Sequence, residues 1–211
     1  MKRVISIVIA AVLLGCFSFN AIAQSDKKFN KEMEKVYKNK SKELKKQKWQ
    51  ISGSSLTLDA ALMKHLRTVN SDDKNKEIVA EVSMCKSANV CKQNALNNAL
   101  VEYANTARTF VSGKTVSDMF NNSSAAVPEE FDKFYGAYER RVAEEINGVL
   151  EFSFAIEKPN GAGKMYRAYY IVNEDKASQA RIRAMQRAAK ETNLAQEYAN
   201  KVSDFVRAGF E

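Results

Sequence analysis

Apolar residues recur at two spacings along this chain, every second position in some stretches and every third or fourth in others. In "KWQISGSS", Trp49 and Ile51 alternate with polar residues until Gly53 breaks a first short strand. "SLTLDAALMKHLRTV" reads as an amphipathic helix capped by Thr57, with Asp59 in its first turn. "EIVAEVSM" is a second strand, and "NVCKQNALNNALVEYANTART" a helix with Ala95, Ala99, Tyr103 or Ala104, and Ala107 on one stripe. "TFVSGKTVSDMF" reads as a third strand, and "NNSSAAV" before Pro128 as a loop. Pro128, Glu129 and Glu130 open a helix with an aromatic face of Phe131, Phe134 or Tyr135, and Tyr138, which Asn147-Gly148 ends.

"GVLEFSFAIEK" and "KMYRAYYIVNE" flank "PNGAG", the strongest hairpin signal in the chain, and Leu150, Phe152, Phe154 and Ile156 are expected to supply the core face of its first arm. Residues 174–211 then keep a helical period through Ala177, Ala184, Ala188, Leu194 or Ala195, Tyr198, Val202 and Phe205. Unbroken, that helix would span roughly 50 Å. The expected class is α+β: helices packed on a mixed sheet of about five short strands, with a C-terminal antiparallel hairpin and a long terminal helix.

Two segments precede this pattern. Residues 1–23 carry basic Lys2 and Arg3, an apolar run from Val4 to Leu14, and Ala21-Ile22-Ala23 before a polar chain, the three parts of a signal peptide. Cleavage between Ala23 and Gln24 would release a soluble chain. "LLGC" offers the alternative of a lipoprotein anchored at Cys16, although Leu14 and Phe17 are bulky for that motif. Residues 24–48 form a thinly apolar helix with Phe29, Met33, Val36 or Tyr37, and Leu44 on one side amid ten lysines. The domain is then expected over 49–173, with the terminal helix, 174–211, packing on it. One good core is all this length supports.

Export leaves Cys85 and Cys91 as a pair in an oxidising compartment, across a strand-to-helix turn in which Asn89 caps the helix. A disulfide there closes a short loop and contributes about 2.4 kcal/mol on the chain-entropy model. Five intervening residues do not fit the C-x-x-C redox motif. Zinc needs more ligands than the single histidine, His65, leaves available, and His65 reads as a surface residue near a helix end.

No nucleophile elbow, Walker loop or dinucleotide fingerprint occurs, "GAGK" lies in the hairpin turn, and "NSDDKNKE" lacks the glycine of a calcium loop. The expectation is therefore no catalytic residue, no metal, no cofactor and no enzyme activity. A net charge of +8, or +6 without Lys2 and Arg3, would suit nucleic acid, yet export argues against that partner. Arg181, Arg183, Arg187 and Lys190 are read as the wet face of the last helix. A small-ligand or cell-wall site is the alternative function, in a cleft beside Phe131, Phe134 and Tyr138.

The stretch "KWQISGSS", the helix "NALNNALVEYANTA" and the strand ending "AYYIV" before a long helix together resemble a group of small bacterial envelope proteins. These share the α+β fold of the N-terminal domain of the flagellar assembly protein T. The resemblance covers Trp49 to Val172 and implies a secreted or lipid-anchored, non-catalytic module of the periplasm or outer membrane. The expected partner is another envelope protein, or a second copy, along the terminal helix. The 26–48 helix is expected to meet anionic membrane or cell-wall polymer.

Overall fold

The computed structural model describes residues 31, 33–122, 130–194 and 196–208. Cys16, Ala23 and Gln24, with the whole of 1–23, lie outside the described residues. The chain divides into two compact units at Lys48/Trp49. In the first, helix α1 runs over 33–46 with Lys35, Lys42, Lys45 and Lys46 exposed. Glu34 and Lys38 form a one-turn ion pair at 2.7 Å.

The second unit orders its elements β1 (Gln50–Ser52), α2 (Leu58–Val69), β2 (Asn75–Cys85), α3 (Ala88–Asn122), α4 (Glu130–Asn147), β3 (Glu151–Asn160), β4 (Gly163–Asn173), α5 (Glu174–Thr192) and α6 (Gln196–Ala208). The fold is α+β. Its sheet has four strands in the order β1-β3-β4-β2, and every pairing is antiparallel, where a mixed sheet of about five was expected. β1 ends where Gly53 takes φ +63°, a conformation that a side chain disfavours. Trp49 beside it is 3% exposed, with Lys158 and Arg167 at 4.6 and 4.7 Å from its ring. The hairpin forms where its turn residues place it: Asn160 pairs with Gly163 around Gly161, whose φ is +57°.

The missing strand is a helix. Residues 109–120, expected as a third strand, continue α3, so that one helix of 35 residues replaces a helix and a strand. Ala95, Ala99, Tyr103, Ala107, Val111 and Thr115 extend one buried stripe along it at steps of four residues. Packing along that stripe outweighs the weak helix preference of Thr109, Val111 and Thr115. Thr115 also donates its hydroxyl to the Val111 carbonyl at 2.8 Å, a bond available only in a helix.

Alternate residues along the sheet serve different layers. Ala80, Val82, Ala155, Tyr166, Ala168 and Tyr170 meet the first half of α3. Phe154 and Tyr169 instead meet His65 of α2. A bulge splits the expected core face of β3: Phe152 pairs with Tyr170 and Phe154 with Tyr169, leaving Ser153 as the extra residue. Phe152 consequently stays 46% exposed under Lys92 of α3, while Phe154 and Ile156 are buried.

The terminal helix is also not continuous. Asn193 adopts φ +53°, and its N–H with that of Leu194 closes the end of α5 on the carbonyls of Lys190 and Ala189. α6 then turns back, with Val202 and Val206 buried in the same cluster as α3, α4 and α5. The surplus length expected of the terminal helix is thus, as far as Ala208, folded onto the unit itself.

Candidate functional site

Cys85 closes β2 and Cys91 sits in the first turn of α3, with sulfurs 1.99 Å apart in a disulfide. The cap of α3 is Ser87, not Asn89, because its carbonyl accepts from Cys91 N–H at 3.0 Å and its hydroxyl from Val90 N–H at 3.4 Å. The bridge fixes where α3 leaves the sheet. Thr57 caps α2 as expected, accepting from Ala60 N–H at 3.2 Å.

His65 is not on the surface; it is fully buried. It follows Ala61 and Leu62 by four and three residues, so it shares their face and descends onto the sheet. Its Nδ1 lies 2.9 Å from Ser153 Oγ, which the bulge turns toward it, and its Nε2 lies 2.5 Å from Glu77. Serine, histidine and carboxylate thus stand in a row. The histidine is nonetheless sealed against the stacked pair Phe154 and Tyr169, at 5.4 and 5.5 Å from their rings, so the row ties α2 to three strands.

Arg181, expected on a wet face, is 1% exposed. It donates to Tyr103 Oη at 2.5 Å and pairs with Glu174 at the start of its own helix. Burial pushes the guanidinium down, but the Glu174 carboxylate and the phenol more than offset this, and its net value lies above the ordinary one. Burial likewise raises the Tyr103 phenol. The signal for this cluster was the seven-residue step from Glu174 to Arg181, two turns along one face.

The other cations of that stretch do face water, but they are not idle. Arg183 and Arg187 meet Glu145 of α4 at 2.7 and 2.9 Å, and Arg140 and Arg141 reach Glu191 of α5 at 2.6 and 2.9 Å. Lys190 is exposed. The aromatic face fares as the core does: Phe131, Phe134 and Tyr138 are at most 1% exposed, and Phe134 stacks on Tyr138 with centroids 5.9 Å apart. No ring face there is open to a ligand.

Space is found elsewhere. β2 is one of the two outer strands of the sheet, bonded to β4 on one side, with no strand on its other side among the described residues. α3 runs antiparallel beside that edge, and two clefts follow one another between them. One, of about 440 Å³, lies between Glu81–Ser83 and the asparagines 94, 97 and 98. The next, of about 280 Å³, lies between Lys76–Val79 and Glu102, Tyr103 and Thr106, with Glu174 at its end. A third hollow, of about 650 Å³, lies in the angle between α5 and α6.

Among the described residues no group of three or more His, Cys, Asp or Glu could hold a metal ion. No helix among them is long and apolar enough to cross a membrane. No family model, curated protein or solved structure matches the chain.

Proposed function

We propose that this chain is an exported, non-catalytic module that works by contact with other polypeptides of the bacterial envelope. The observation that carries this reading is the partly covered edge of β2, an eleven-residue strand without proline at the rim of the sheet, where Asn98 of α3 takes the Glu81 carbonyl and two clefts lie along the rest. Charged Lys76, Glu77 and Glu81 and a bulge between Val82 and Cys85 blunt this edge in part, and Val79 between them stays 37% exposed. The disulfide supports an oxidising compartment. The groups with chemical potential, His65 and Arg181, are spent on internal partners, which favours a scaffold over a catalyst. The exposed lysines of α1 add attraction to an anionic envelope surface. The resemblance expected from the sequence of residues 49–172, to flagellar-T-type envelope domains, would imply the same role.

A photo-crosslinking residue placed in turn at the exposed positions Val90, Val101 and Phe152, in the native host, tests the reading. Discrete polypeptide adducts from envelope fractions are the expected outcome. The absence of crosslinks at all three positions, or unprocessed protein in the cytosol, would refute it.

A further inference from the structure

We propose that the groove between β2 and α3 is a strand-addition site, and that its occupant is an extended, basic segment of a partner polypeptide. This rests on the contact reading above and names the partner's chemistry. Asn98 of α3 donates its side-chain amide to the Glu81 main-chain carbonyl at 2.9 Å. That is the bond an added strand would make to an outward-facing carbonyl, so Asn98 stands where a partner's N–H would stand. Main-chain groups alternate in direction along a strand, so Val79, two residues earlier, turns its N–H and C=O to the same side. Its side chain is 37% exposed.

The clefts follow this edge in register. From Ser83 back to Lys76, β2 faces first the three asparagines of α3 and then Glu102 and Thr106. Seven residue steps span roughly 24 Å of extended chain. Amide side chains along one half suit a main chain of any sequence, and an apolar floor of Ile78 and Val172 in the other half suits one aliphatic side chain.

Charge selects the occupant. Glu102 and Glu174 line the second cleft with a single Lys76, in a protein whose net charge is +8, while the neighbouring Glu77 carries its carboxylate to His65. Glu77 is engaged by His65 and Glu174 by Arg181, whereas Glu102 is exposed with no ion-pair partner among the described residues. A second copy would bring two acidic lips together, and an acidic peptide would be repelled. A lysine or arginine beside the aliphatic residue is the complement.

The test uses the disulfide-bonded protein, isotope-labelled, with two capped octapeptides that alternate valine with lysine or valine with glutamate. The lysine peptide is expected to slow hydrogen exchange at the Val79 amide at least tenfold, with the glutamate peptide at least tenfold weaker. Glu102→Gln should weaken the lysine peptide about threefold, and Asn98→Lys should abolish its effect without altering the far-UV spectrum. No protection of Val79 by the lysine peptide, or equal protection by both, overturns the proposal. So does a dimer whose interface protects Val79 without peptide. Crosslinks from Phe152 together with an unprotected Val79 would sink this site and leave the contact reading standing, whereas the absence of crosslinks from every position removes the contact reading itself.

Discussion

The two halves of α3 lie in cores built on opposite plans. Its first half meets the sheet through Cys91, Ala95 and Ala99 set against Ala80, Ala155 and Ala168, so helix and strands approach closely over small side chains. Its second half is buried among Phe131, Phe134, Tyr138 and the small residues of α5, with a charged arginine enclosed beside them. Those alanines bury little apolar area each, so the first core rests mainly on Tyr166, Tyr170 and Val82 and carries a covalent pin at its end. The rings of the second bury far more area, which gives it a margin large enough to hold Arg181 and phenols. One helix therefore ties a thin, cross-linked layer to a thick, polar-containing one.

Removing the charge at the centre of the thick core should test that margin most severely. Arg181→Ala strips Tyr103 and Glu174 of their partner and leaves a void, a loss of about 3 kcal/mol in urea unfolding given that Glu174 still reaches water. Arg181→Met, which refills the volume, should recover at least half of it; equal losses for both would mean that packing alone matters there. In the thin core, reducing the disulfide or replacing both cysteines by alanine should cost about 2.4 kcal/mol. Amide exchange should rise first at the α3 N-terminus, and a uniform rise across the unit would remove the idea of a local pin.

Tyr138 supplies a smaller effect of opposite sign. Its hydroxyl is buried with no hydrogen-bond partner among the described residues, and burial pushes the phenol well up. Tyr138→Phe should be neutral or stabilising by about 1 kcal/mol. A clear destabilisation would reveal a partner for that oxygen. The smallest effect is on pH. Hydrogen bonds from Arg183 and Arg187 hold the Glu145 carboxyl below its ordinary 4.5 against partial burial. On acidification the unfolded chain takes up this proton first, so the contribution is complete above 4.5 and is lost as pH falls through the folded value. Glu145→Gln should flatten the acid limb of the stability curve measured by thermal melting, and an unchanged limb would assign it to other carboxylates such as Glu157.

Reading the chain without its structure succeeds where the relevant chemistry is local. Thr57 caps α2 because its hydroxyl reaches a donor three residues on, Gly161 turns the hairpin, and Cys85 and Cys91 are close enough along the chain to meet. It fails where a distant surface arbitrates. Residues 109–120 carry enough Val, Thr and Phe to pass for a strand, and only the presence of α4 and α6 against Ala107, Val111 and Thr115 keeps them helical. The period of residues 174–208 runs smoothly across Asn193, and the left-handed turn there is decided by the gain in folding α6 back. His65 was legible in part, since its spacing from Ala61 and Leu62 puts it on the buried face, but Ser153 and Glu77 are 88 and 12 residues away from it.

Alternation, caps and turn residues set the class, the hairpin and the crosslink, because each involves groups within a few bonds of one another. Which strand lies at the rim, which cation is enclosed and where a groove opens are consequences of several elements sharing one volume. No window of neighbouring residues contains that competition, since its energies come from surfaces that meet only after the chain has folded.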